Sequence, residues 1–113
     1  TQKEYLDRLL SHMTEKKPFL DEDITIRSLS EEMGIPIHHL SIVINNMLNR
    51  NFSAFINEYR VREALSLLEA GGDDANILSI AFASGFSSKS SFNSAFKKIT
   101  GKTPSEYRTA KSA

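Results

Sequence analysis

Hydrophobic residues along this chain recur every three or four positions, the spacing of a helix with one buried stripe. Tyr5, Leu6, Leu9, Leu10 and Met13 share a face opposed by Glu4, Asp7, Arg8 and Ser11, which predicts a first helix over 5–13 that Pro18 ends. Phe19 to Asp23 reads as a loop, with Phe19 and Leu20 tucked beneath the domain and Asp21, Glu22 and Asp23 in water. A second helix carries Leu29 and Met33 and closes at Gly34. Ser28 with Glu31 three residues later forms a capping box and Thr25 with Ser28 does not, so the helix starts at one or the other. Pro36 suits the first turn of a third helix running to about Leu48. Its buried stripe is Leu40, Val43, Ile44, Met47 and Leu48, and its outer face is Ile37, His38, Ser41, Ile42, Asn45 and Asn46. A long helix follows over 53–70 with apolar residues on most sides, as a helix touched from two directions requires. Gly71-Gly72-Asp73-Asp74 stops it.

The densest pattern lies at 77–108. Ile77, Ile80, Ala81 and Ala83 make one buried stripe, and Phe92, Ala95, Phe96 and Ile99 make another, with Gly85 at the turn between them. Glycine accepts a positive φ and a close helix crossing that a side chain would block. Ser87 or Ser88 caps the later helix, and Gly101 ends it. Its outer face is Lys89, Ser90, Asn93, Ser94, Lys97 and Lys98, small polar and basic side chains without a carboxylate. Thr103, Pro104 and Glu106 then spell a capped start for a last helix, with proline at its first position and a capping box closed by the glutamate.

The two ends of the chain repeat one unit. Gly34 corresponds to Gly85, Leu40 to Phe92, Ile44 to Phe96, Asn49 to Gly101, Phe52 to Pro104 and Phe55 to Tyr107, the second copy being one residue longer in its turn. Asn49 stands in for the helix-ending glycine because Asn also visits the left-handed conformation. The expected fold is all-α, with seven helices and no strand. Two helix-turn-helix subdomains, 5–51 and 71–113, are joined by a long linker helix at 52–70.

The string Ile80-Ala81, Gly85-Phe86, Ser91-Phe92, Phe96-Lys97-Lys98, Gly101, Thr103-Pro104, Tyr107-Arg108 resembles the signature of the AraC/XylS transcription regulators. Leu29, Gly34, Leu40-Ser41, Phe52, Phe55-Ile56, Arg60-Val61, Ala64 and Leu67-Leu68 extend the resemblance over the first half. In the family pattern the second helix is capped at the Thr25 position.

Net charge is zero, which on its face argues against a DNA binder, but the distribution changes the picture. Residues 76–113 carry six Lys/Arg against one Asp/Glu, and the remainder carries eight against thirteen. Charge set apart in this way makes a local basic face, whereas the overall balance bears on solubility and steering. No cysteine is present, so disulfides, thiolate metal sites and thiol catalysis are excluded, along with the cysteine chemistry of the family's DNA-repair relatives. No membrane-length apolar run, secretory signal, Gly-rich phosphate loop, Ser/His/Asp set or paired-carboxylate cleft stands out. His38 and His39 point about 100° apart on a helix and do not readily share an ion, and the acidic triplet at 21–23 reads as a solvated loop. The reading is therefore non-enzymatic, with no metal and no cofactor.

Asn pairs with adenine through two hydrogen bonds, Lys donates to guanine, Ser bonds to several bases, and apolar groups meet the thymine methyl. The resemblance places base contacts at His38, Ser41, Ile42 and Asn45 in the first unit and at Lys89, Ser90, Asn93 and Ser94 in the second. Ile42 departs from relatives that often carry Arg there, leaving a methyl contact or a place in the core. Candidate phosphate contacts are Arg50, Lys97, Lys98, Lys102 and the free N–H groups near Pro36 and Ser88. Lys97 and Lys98 also suit the negative end of their helix. Arg60 matches a family position that braces the subdomains, and an ion pair with a nearby carboxylate is its expected role.

The resemblance implies sequence-specific binding of double-stranded DNA by a bacterial transcription regulator, with both units meeting successive major-groove segments about 34–36 Å apart. A rigid linker would bend the duplex modestly, which a circular-permutation gel shift measures. The alternative is a helical protein-interaction or signalling adaptor built on the same fold. The partners implied are DNA, a sensing or dimerisation domain of the same parent chain, and RNA polymerase as a further contact, with no small-molecule site here. Thr1 in place of Met reads as the start of a piece of a longer protein. The stretch NEYRVREALSLLEAG resembles output domains of large sensory regulators, including hybrid two-component sensors. Such a domain works in the cytoplasm even where its parent sits in the inner membrane.

Overall fold

The computed structural model describes residues 1–71 and 74–112. Among them are seven α-helices and no strand: α1 (Gln2–Lys16), α2 (Ile26–Met33), α3 (Ile37–Ile42), α4 (Phe52–Gly71), α5 (Ile77–Ala83), α6 (Lys89–Thr100) and α7 (Pro104–Ser112). A 3-10 turn spans Pro18–Leu20, and a π-helical turn spans Val43–Met47 and continues α3. The chain forms two compact units, Thr1–Ile56 and Asn57–Ala113, and the boundary falls inside α4.

In the first unit, α1 is longer than its apolar stripe predicts. The Thr1 hydroxyl accepts from the Glu4 N–H in a capping box, and Lys17 ends the helix in the left-handed region at φ 49°. Of the pair expected inside, Phe19 is buried and Leu20 is 39% exposed. Successive residues of a 3-10 turn point roughly 120° apart, so the two cannot share one interior. Thr25 caps α2, and Thr25 with Ser28 does form a reciprocal box: each backbone N–H donates to the other's hydroxyl at 3.0 Å. The serine hydroxyl fills the place usually held by a carboxylate.

Leu9, Met13, Phe19, Leu29, Ile35, Leu40, Val43, Ile44, Phe55 and Ile56 are buried here. Met47, expected in that stripe, is 40% exposed. The π-turn is the reason: the Leu48 N–H donates to the Val43 carbonyl five residues back at 3.1 Å, and the wider turn rotates Met47 out of register. Asn49 takes the left-handed conformation at φ 54°, as its place in the repeat requires.

The second unit gathers Val61, Ala64 and Leu68 of α4 with Ala75, Ile80, Ala81, Phe86, Phe92, Ala95 and Phe96. Phe86, Phe92, Phe96 and Tyr107 form a ladder with centroids 5.3, 5.5 and 5.8 Å apart, the outer two pairs edge-on and Phe92–Phe96 tilted, a favourable aromatic geometry. Ala83 and Ile99, predicted inside, are exposed, Ile99 by 43%. Ser84 takes the fourth place in the α5 stripe, fully buried, because its hydroxyl donates to the Ile80 carbonyl at 2.7 Å and no polar group is left unpaired. Phe96 meets Tyr107 of α7. The predicted stop at 71–74 includes Gly72 and Asp73, which lie outside the described residues.

Candidate nucleic-acid interface

In the second unit, Asn76 caps α5 by accepting from the Ser79 N–H. The chain turns through Ser84 and Gly85, whose φ is 98°. Phe86 is then buried as an anchor, its N–H donating to the Ala81 carbonyl. Ser88 starts α6 by accepting from the Ser91 N–H at 3.1 Å, and its hydroxyl donates to the Ser91 Oγ. Gly101 ends α6 at φ 84°. With Phe92, Ala95 and Phe96 turned inward, the opposite face is fixed by periodicity. Lys89, Ser90, Ser94, Lys97 and Lys98 are exposed and Asn93 is half-buried.

That face forms one wall of an open groove of about 1070 Å³. Lys89, Asn93, Ser94, Lys97 and Lys98 line one side, and Asp74, Asn76 and Leu78 with Thr103, Ser105 and Arg108 line the other. The opposite wall is made from the starts of α5 and α7, which Asn76 and Thr103 cap. The Arg108 guanidinium donates to the Ala75 carbonyl at 2.7 Å and ties α7 to the segment before α5. Thr103 caps α7, donating its N–H to the Glu106 carboxylate at 2.9 Å and accepting the Glu106 N–H at 3.1 Å. These bonds from Thr103, aided by Lys97 and Lys102, hold the Glu106 carboxyl below its ordinary range. The one carboxylate after residue 75 is thus committed to a cap, while Asp74 borders the groove. Lys102 is exposed beside it.

In the first unit, Ser30 holds the corresponding turn, its hydroxyl donating to the Ile35 carbonyl. Gly34 is left-handed at φ 67°, and Ile35 is the buried anchor that matches Phe86. Pro36 begins α3 without a side-chain cap, so the first N–H groups of that helix stay open. His38 and Asn45 are exposed, and Ser41 and Ile42 are half-buried. The His38 ring stacks on His39 at 4.3 Å, and His39 lies 5.3 Å from the Tyr5 ring of α1. Asn45 Nδ2 lies 3.5 Å from the Ser41 hydroxyl. Arg50 donates to the Asn49 carbonyl at 3.1 Å. Within each unit, then, the base-contact candidates share one helix face.

Sequence reasoning missed Asn76, Ser105 and Arg108 as groove residues, since each lies outside α6 and joins it only through packing. The signal available was the Asn76 cap, an Asx residue just before an apolar run. The Arg60 guanidinium lies over the Phe86 ring at 5.7 Å, an aromatic contact that spacing gave no reason to expect.

A family model described as a helix-turn-helix domain matches residues 29–110. The chain belongs to the AraC-type helix-turn-helix family. Family members are transcription regulators that bind DNA. The chain is 38% identical over 87 residues to an uncharacterised HTH-type transcriptional regulator of Staphylococcus aureus (strain MSSA476), a match covering 77% of the chain and 11% of the relative. It is 27% identical over 104 residues to the melibiose operon regulatory protein of Escherichia coli (strain K12), covering 92% of the chain and 33% of that protein. The AraC-type domain therefore corresponds to a small part of these curated relatives. Among solved structures it resembles the C-terminal domain of AraT, a response regulator from Geobacillus stearothermophilus, with TM-score 0.75, 27% identity and coverage of 91% and 84% of the two chains. It also resembles the C-terminal domain of the two-component response regulator yesN from Fusobacterium nucleatum, with TM-score 0.70, 25% identity and coverage of 94% and 96%. No helix among the described residues is long and apolar enough to cross a membrane.

Proposed function

We propose that this AraC-type domain binds double-stranded DNA sequence-specifically, with α3 and α6 as the reading helices of its two units. The observation that carries the proposal is the outer face of α6, where exposed Lys89, Ser90, Ser94, Lys97 and Lys98 flank Asn93 and no carboxylate interrupts them. Lys89, Ser90, Asn93 and Ser94 reach base edges, the amide of Asn93 pairing with adenine and the Lys89 ammonium with guanine. Lys97, Lys98 and Lys102, with the open N–H groups before α6 and around the groove, take phosphate oxygens and set register. In the first unit His38, Ser41, Ile42 and Asn45 read bases, with Arg50 and the uncapped start of α3 near Pro36 on phosphate. Ile42 is half-buried, which suits contact with a thymine methyl. The domain serves a larger regulator as its output part. The response-regulator relatives support a two-component parent whose sensing or dimerising part lies elsewhere, and RNA polymerase is a further partner of the bound complex. It acts by binding rather than catalysis, in the compartment that holds the chromosome.

Exposed Leu78 and Phe82, 45% and 51% accessible, favour the adaptor reading instead. Selection of bound duplexes from a random pool decides between them. We expect one motif to be enriched, Asn93→Ala and Lys89→Ala to relax its base preferences, and Lys98→Ala to weaken all duplexes alike. No enrichment would overturn the proposal, and equal loss of preference in all three variants would overturn the sorting of roles.

A further inference from the structure

We propose that Asn46 is an additional base-reading residue, turned onto the reading face of the first unit by the π-turn that continues α3. The proposal rests on the DNA-reading role of α3 put forward above. In an uninterrupted α-helix each residue advances about 100°. Asn46, eight positions after His38, would then lie some 80° round from it, at the edge of the outer face, while Met47 would fall beside Leu40 on the buried side.

The helix is not uninterrupted. Val43–Met47 is π-helical, with the Leu48 N–H bonded five residues back to Val43 rather than four. The wider turn advances roughly 80° per residue, so by Asn46 the helix lags an α-helix by on the order of 60°. Two side chains should change sides as a result. Met47 leaves the Leu40 stripe, which matches its 40% exposure. Asn46 moves in line with His38 and Ile42. Its side chain is exposed and has no hydrogen-bond partner among the described residues, whereas Asn45 is within 3.5 Å of the Ser41 hydroxyl. A free carboxamide aimed at a major groove recognises adenine through N6 and N7. The recognition helix of the second unit is α-helical from Lys89 to Thr100 and has no such turn.

The test uses the 113-residue chain and a duplex taken from the random-pool selection. Asn46→Ala should cut the preference for adenine at one position by roughly 5- to 150-fold, the range of one bidentate base contact, and leave the melting temperature unchanged because the side chain is exposed. In a ¹H–¹⁵N spectrum the Asn46 side-chain amide signals should move when the duplex is added. If the wild type selects a motif while Asn46→Ala keeps every preference and those signals stay in place, the proposal is overturned and the reading role of α3 stands. If randomising the half-site read by the first unit leaves wild-type affinity unchanged, the reading role of α3 falls, and the proposal falls with it.

Discussion

At the scale of single residues, several short polar side chains do structural work that their identity alone understates. Ser84 is fully buried yet costs little, because its hydroxyl donates a hydrogen bond to the Ile80 carbonyl. Ser28 completes a capping box in place of a carboxylate. Glu106 is legible from sequence as a cap, and the structure shows how it is held: its carboxylate accepts from the Thr103 N–H while its own N–H donates to the Thr103 hydroxyl. That binding gives a pH dependence whose sign follows from linkage. A carboxyl held lower in the folded chain than in the unfolded one stabilises above its unfolded range, and the benefit is lost as pH falls through the folded value. We therefore expect the start of α7 to loosen in acid. The Thr103 amide signal should titrate with Glu106, below the ordinary glutamate value of about 4.3, and Glu106→Gln should abolish that step.

At the scale of elements, periodicity located the helices and chemistry at their ends set their bounds. The Gly34 and Gly101 stops were legible because a left-handed residue is the usual way to end a helix. The same logic covered Asn49. What periodicity could not supply was the change of period where the π-turn continues α3, since no residue type announces a π-turn. Met47 was misplaced for that reason. Leu20 was misplaced because successive residues of a 3-10 turn point apart, and Ile99 because a stripe tells which residues line up while the neighbouring helix decides which are covered. Two substitutions separate backbone from packing at this scale. A Cβ added at Gly34 meets nothing within 4 Å, so Gly34→Ala should cost only the left-handed penalty of about 1–2 kcal/mol. Phe92, fully buried between Phe86 and Phe96, should cost roughly 3–5 kcal/mol on truncation to Ala. Urea denaturation with unchanged slope distinguishes the two, and equal losses would contradict this division.

At the scale of the whole molecule, the governing feature is charge held apart. A chain of zero net charge places six cations against one anion after residue 75, and α6 turns four exposed polar and basic positions of that segment to one side of a groove. Binding to duplex DNA through such a face should weaken linearly with the logarithm of salt concentration, by about 0.9 per phosphate contact. Replacing Lys97, Lys98 and Lys102 together by Ala should make that slope shallower by about 2.7. Titration at several salt concentrations checks the change, and an unaltered slope would remove these lysines from the phosphate contacts.

The amino-acid order by itself determined the all-α class, the repeated helix-turn-helix units, the principal caps and the separation of a basic end. Each follows from short-range rules: the period of the helix, the rarity of positive φ outside Gly and Asn, and the needs of unpaired backbone groups. Only the tertiary structure decided that Ser84 is interior, that Arg60 rests on Phe86, that Asn76 and Arg108 border the face of α6, and that the turn after α3 widens at Val43. Those outcomes depend on which elements meet and how closely, and contact between residues distant in sequence leaves no trace in local spacing.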